Sequence, residues 1–252
     1  MSGHSRWSNI KNKKAASDAK KGKIFTKLAK EIMVSAKLGG SDIGSNPRLR
    51  AAVEKARVYN LPKDNIEKAI KKGAGELEGV DYEEITYEAF GSHGIAYIIE
   101  VMTDKKTRTV PELKNIFSKY GGSLGETGSV GYLFDHLGIF IVNAQNIKED
   151  EIIELVIEIG AEDFEIDSEN EFVIKCKKEK YHSVSEALNN ISEKRGWKIL
   201  HSELRYEPKT HIDLEAESVK LNLLLIEALE NHDDVQNVYN NLNHPAEAQT
   251  PK

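Results

Sequence analysis

The chain has 252 residues, 39% hydrophobic and 30% charged, with no run near the roughly 18 apolar residues of a membrane span. Its one cysteine, Cys176, excludes an internal disulfide framework and agrees with a reducing compartment. The formal net charge of −6 conceals an asymmetry: residues 1–72 hold 18 of the 35 Lys and Arg but only 6 of the 41 Asp and Glu, about +12 against about −18 for the rest. In a polyanion's field the basic end of such a molecule faces phosphate while the acidic bulk is repelled.

The length favours two or three domains. Residues 1–22 contain few large apolar groups beyond Trp7 and Ile10, and carry Arg6, Lys11, Lys13, Lys14, Lys20 and Lys21. Such a segment cannot bury enough surface to offset its ordering entropy, so a mobile arm is expected, one that binding could order. It has no apolar h-region, which argues against a secretory signal and leaves the cytoplasm as the expected location.

From Lys23 to Leu38 the pattern is helical, with Ile24, Phe25, Leu28, Ile32, Met33 and Ala36 on one stripe and Gly39-Gly40 as the stop. A second helix is predicted from the cap Asn46-Pro47, burying Leu49, Ala52, Val53 and Ala56, and a third from Pro62, burying Ile66, Ala69 and Ile70. Together they make a small bundle. The period then changes. Residues 82–90 and 95–102 read as strands, followed by a helix capped by Thr109 in the box Thr109-Val110-Pro111-Glu112. A hairpin is expected at 130–142, turning near Leu137-Gly138. Beyond it come a helix at about 149–159, two strands around 167–170 and a helix capped by Ser183 and Glu186. A strand at 197–206, a helix at 215–230 with Leu221, Leu224, Leu225, Ala228 and Leu229 inward, and a strand at 234–240 complete the pattern. This mixture predicts α+β architecture with largely antiparallel sheets. Residues 243–252 read as a loose tail. Cys176 alternates with Phe172 and Ile174 onto one strand face and is expected to be buried packing.

The strongest local signal is the basic face of the first helix. Lys23, Lys27, Lys30 and Lys37 lie opposite the apolar stripe over about 21 Å of helix, matching about three phosphate spacings. Arg48, Arg50, Lys55 and Arg57 add charge on the second helix. Trp7 either stacks on a base, with Arg6 on a phosphate, or tucks onto a later domain; the residues leave both open. Thr103 to Arg108, with Lys105, Lys106 and Arg108, is a second basic cluster feeding a helix N-terminus, and equally reads as a plain polar connection. The glycine-rich run GGSLGETGSVG at 121–131 lacks the GK[ST] ending of a phosphate loop. The eight histidines are scattered without ligand spacing, no nucleophile elbow or kinase signature is present, and acidic pairs such as Glu83-Glu84 and Asp233-Asp234 read as solvated surface. No cofactor is expected.

Five segments are distinctive in combination: GHSRWSNIKNKKAASDAKKGKIFTKLAKEI at 3–32, NPRLRAAVEKAR at 46–57, LPKDNIEKAIKKG at 61–73, TDKKTRTVPELKNIFSKYGGSLGETGSVGYLF at 103–134 and DDVQNVY at 233–239. They resemble the YebC/PmpR family, whose mitochondrial relative is the translational activator of cytochrome c oxidase. The resemblance implies three domains: a basic arm and helical domain at 1–78, a discontinuous α+β domain at 79–133 and 205–242, and an inserted α+β domain at 134–204. It also implies a non-enzymatic role in gene expression, either as a DNA-binding transcriptional regulator or in translation at the ribosome, where rRNA or tRNA would be the ligand. The arm, the first helix and the loop of Lys105, Lys106 and Arg108 are the contacts it implies. Family members often carry basic residues where this chain has Asp135-His136-Leu137, which argues against phosphate contact there. A rival of another class is an adaptor whose acidic domains bind a basic protein. The residues leave the nucleic-acid type and the oligomeric state open, and no membrane partner is expected.

Overall fold

The structure, a computed structural model, describes residues 18–144, 147–168 and 170–243. Arg6, Trp7, Lys11, Lys13, Lys14 and the tail after Asn243 lie outside these residues, and Lys20 is described in its backbone alone. Chain contacts divide the described residues into two compact units, 18–131 with 212–243, and 132–211. The architecture is α+β, a helical bundle and two sheet domains, the middle one completed by the C-terminal elements.

The first unit opens with three helices, α1 (Asp18–Gly39), α2 (Pro47–Val58) and α3 (Lys63–Gly73). Leu28, Ile32 and Ala36 of α1 pack with Leu49, Ala52, Val53, Ala56, Ile66 and Ala69, the stripes that the 3.6-residue period places together. Asn46 caps α2: its side-chain oxygen accepts from the Leu49 N–H at 3.0 Å while its amide donates to the Ser35 and Gly40 carbonyls. α3 approaches α1 closely at Gly73, where a Cβ would lie 2.2 Å from the Met33 carbonyl oxygen.

The same unit continues with β1 (Glu83–Phe90), β2 (Ala96–Thr103), α4 (Lys106–Lys119) and β3 (Ser123–Leu124). The chain returns to it with β8 (Ile212–Asp213), α7 (Ala216–Glu230), β9 (Val235–Asn240) and β10 (Leu242–Asn243). The sheet order is β3-β1-β2-β9, all pairs antiparallel. Central β2 is buried along nearly its whole length, as its AYIIEVMT composition requires. Leu113 and Phe117 of α4 and Leu225 and Leu229 of α7 close the core over Tyr97, Ile99 and Val101. Leu224, expected inward, is exposed; the inward position is taken by Asn222, whose amide accepts from the Tyr97 hydroxyl at 2.8 Å and donates to Ser92. The helix predicted from a Thr109 cap starts four residues earlier, with Lys105 at the cap position, and the Thr109 hydroxyl is instead engaged by a buried carboxylate described below.

The second unit is a sheet of order β5-β6-β4-β7, with β4 (Phe134–Asn143), β5 (Asp163–Ser168), β6 (Glu171–Lys177) and β7 (Lys198–Pro208), plus α5 (Glu149–Ile159) and α6 (Tyr181–Arg195). Phe140, Val142, Phe172, Ile174 and Cys176 face Ile152, Leu155, Val156, Val184 and Leu188 of the helices. Burial pushes the Cys176 thiol up to about 11, consistent with packing rather than reactivity. The expected hairpin at Leu137-Gly138 is instead one uninterrupted strand, β4. Gly138 marks a close approach, not a turn: a Cβ there would meet the Tyr181 ring at 2.6 Å and the Cys176 sulfur at 2.8 Å. Gly138→Ala should therefore lower stability by about 1–3 kcal/mol through overpacking, read as a fall in the urea midpoint.

Candidate nucleic-acid interface

The sequence predicts that α1 presents its lysines to phosphate, and the structure turns three of them inward on the chain itself. Lys23 donates to the Asn231 carbonyl and Lys27 to the Glu230 carbonyl, each at 2.7 Å. These carbonyls end α7, where the last turn lacks intrahelical donors and the helix dipole attracts cations. Lys30 is 5% exposed, lies 5.1 Å from the centre of the Tyr82 ring and donates to the Asp233 carbonyl. Lys37, at the far end, pairs with Asp81.

The ammonium of Lys30 lies 2.8 Å from Asp234 Oδ1. Asp234, read from the sequence as surface, is 3% exposed. Its other oxygen accepts from Arg108 at 2.8 Å, from Thr109 at 2.8 Å and from Thr103 at 3.3 Å. Burial alone would raise this carboxyl, but the bonds from Lys30, Arg108 and Thr109 outweigh it and hold it well below the usual carboxylate range. Arg108, also bonded to Asp104, is raised in turn, first by Asp234. The basic loop thus delivers Arg108 to a structural ion pair. Lys106 pairs with Glu83 at 2.6 Å, while Lys105 is exposed and donates its backbone N–H to Thr103.

On α2, Arg48 bonds Glu31 of α1 at 2.9 Å and grips both carboxylate oxygens of Glu84 on β1, a planar match that suits guanidinium. Burial opposes its charge, yet the two carboxylates raise it above the ordinary value. Arg50 donates to the Gly44 carbonyl. Arg57 and Lys55, in the last turn of α2, are exposed without a carboxylate partner among the described residues. Lys68, Lys71 and Lys72 of α3 are exposed as well. They were not singled out in the sequence, although KAIKKG, with Ala69 and Ile70 turned inward, places cations on an outer helical face. Lys21 is exposed on α1.

Two other constellations are internally complete. The glycine-rich loop does aim backbone N–H groups at an anion, but the anion is the chain's own Glu88: Gly128, Val130 and Gly131 donate to its carboxylate at 2.6–2.7 Å. Burial tends to raise Glu88, and these three bonds prevail to lower it. Glu112, His232 and Asp234 hold ligand-type atoms within 4.8 Å of one another. Both ring nitrogens of His232 are nevertheless engaged, Nδ1 by the Asp234 N–H at 3.1 Å and Nε2 by Glu112 at 2.9 Å, and Asp234 already faces two cations. This is an ion-pair cluster rather than a ligand set.

Asp234→Asn should cost about 3–5 kcal/mol, because it leaves Lys30 buried without its counter-charge. Since the folded carboxyl lies below its unfolded value of 3.8, the wild-type contribution is fully present above about pH 4 and disappears as pH falls through the folded value. Urea midpoints measured between pH 7 and pH 2.5 should converge for the two proteins toward low pH; parallel curves would count against the assignment.

Comparison with known proteins gives a consistent result. Residues 5–76 match the TACO1/YebC protein N-terminal domain and residues 82–242 the TACO1/YebC second and third domain. A "probable transcriptional regulatory protein" of Dictyoglomus turgidum is 48% identical over 98% of both chains, and one from Thermoanaerobacter pseudethanolicus is 49% identical over 96% of this chain and 97% of its own. A solved structure of a conserved hypothetical protein from Aquifex aeolicus superposes with a TM-score of 0.78 at 40% identity, covering 93% of this chain and 95% of that one. From its bundle to its last strand, the chain belongs to the TACO1/YebC family.

Proposed function

We propose that this protein is a non-enzymatic regulator of gene expression that binds the nucleic-acid backbone through its helical domain. The observation that carries the reading is the division of labour among its cations. Lys23, Lys27, Lys30, Arg48 and Arg108 hold the chain together, whereas Lys55, Arg57, Lys68, Lys71 and Lys72 stand exposed on α2 and α3. The relatives named as transcriptional regulators support DNA as the target. No helix of the described residues is long and apolar enough to cross a membrane.

One observation favours a second reading, a translation factor bound to structured RNA. The helix with the strongest basic signal, α1, is committed along much of its length to neighbours in its own unit, so it is not a helix free to enter a major groove and read base edges. Backbone contact suits a structured RNA as well as a duplex.

With about six phosphates neutralised, log affinity should fall against log salt with a slope near −5 on duplex DNA and near −4 on single strands. Replacing Lys68, Lys71 and Lys72 together by glutamate should weaken binding uniformly across sequences and flatten the slope by about 1 for each phosphate no longer engaged. A flat wild-type response would remove the electrostatic basis. Cosedimentation with ribosomes compared with retention on promoter DNA at matched salt separates the two targets.

A further inference from the structure

The 3.6-residue period of α5 turns Ile152, Leu155 and Val156 into the core and leaves two further isoleucines outside. Ile153 is 42% exposed and Ile157 73%, the most exposed large apolar side chain among the described residues. Apolar residues scattered singly over a surface are ordinary. These two stand four residues apart and form one ridge along the helix. Isoleucine serves the helix poorly there, because its β-branched side chain loses rotamer freedom and, at an exposed position, no packing offsets the loss. A third isoleucine, Ile166, is 53% exposed on the edge strand β5. Its cross-strand partner Phe172 belongs to the helix-side core, so Ile166 lies on the sheet face that carries α5.

The acids beside the ridge also run against local preference. Glu149, Asp150 and Glu151 occupy the first turn, where the helix dipole favours them. Asp150, Glu154 and Glu158, by contrast, form an exposed row of like charge at four-residue spacing, next to the ridge. Glu158 falls in the last turn, where the dipole disfavours an acid and no base accompanies it. Among the described residues no Lys or Arg pairs with any acid of this row. Neither the ridge nor the row stabilises the second unit, and local rules are broken in this way at sites selected for recognition.

We infer that α5 is a docking site for a basic amphipathic helix of another protein. A ridge of four-residue spacing seats in the groove between the corresponding ridges of a second helix. The acid row beside it matches lysines or arginines bordering that helix's apolar stripe. The same charge argues against the other occupants. Phosphates of a nucleic acid or of an anionic lipid surface are repelled, and a second copy of this chain would bring like charge to like charge, since Glu149–Ile159 contains no Lys or Arg. The inference is independent of the nucleic-acid reading, whose exposed cations lie on α2 and α3.

The probe is a fluorescent synthetic peptide of about 18 residues, long enough to be helical, with leucines on one stripe and lysines on the rest; a peptide of the same composition in shuffled order is the control. The full chain should bind the amphipathic peptide and bind the shuffled one at least about tenfold more weakly. Ile153→Ser with Ile157→Ser leaves every charge in place and should weaken binding about tenfold, as should Glu154→Lys with Glu158→Lys. Circular dichroism checks that both variants fold. Isoleucine δ1-methyl NMR spectra of the wild-type chain give a readout that needs no substitution at the site beyond those used for assignment. The peptide should shift the Ile153 and Ile157 signals. Equal binding of the two peptides, unchanged affinity in the serine variant, or methyl shifts confined to other isoleucines would each overturn the inference. Sedimentation of the chain without peptide tests the remaining occupant: a concentration-dependent dimer that the serine variant abolishes would assign the ridge to a second copy and overturn the proposal, and a monomer at all concentrations supports it.

Discussion

A buried carboxylate fixes where the helical bundle lies on the sheet domain behind it. Asp234, at the entry to β9, gathers Lys30 from α1, Arg108 and Thr109 from α4, and Thr103 from the end of β2. Removing two charges from water costs several kcal/mol per ion and is recovered only when the remaining lone pairs are matched by well-placed donors, a condition this cluster meets. Apolar contacts alone would let the bundle slide or rotate with little penalty, whereas an ammonium and a guanidinium meeting one carboxylate tolerate little displacement. Arg48, bridging Glu31 and Glu84, adds a second directional tie between bundle and sheet. The bundle and the discontinuous domain accordingly form one compact unit.

Much of the fold was legible because it follows from periodicity. The stripes of α1, α2 and α3, the Asn46 cap and the ends of α5 are local signals, and the structure places them as expected. The misplaced features are those whose reason lies far away in the chain. Gly138 reads as a turn until the Tyr181 ring and the Cys176 sulfur are seen against it. Thr109 reads as a cap until its hydroxyl is found on Asp234, 125 residues away. Asp234 reads as solvent-facing because a lone acid beside another acid gives no sign of cations contributed by α1 and α4.

The same limit governs the candidate site. A count of cations along α1 describes how much charge the helix carries but not where each ammonium is spent. Three of its lysines satisfy helix-end carbonyls or a buried acid, an outcome that depends on α7 and β9, more than 200 residues downstream. Among the described residues, the exposed cations on α2 and α3 are a smaller set than the composition of residues 1–72 implies.

The loop at 121–131 has a bearing on specificity. Its backbone donors already hold a carboxylate that is part of the same polypeptide, and a tethered group competes at an effective concentration that a dissolved metabolite seldom reaches. A nucleoside triphosphate would have to evict Glu88 while leaving that acid unpaired nearby. The glycines that make the segment look like a nucleotide cradle therefore make it a self-sealed one, its backbone donors already spent on a single glutamate.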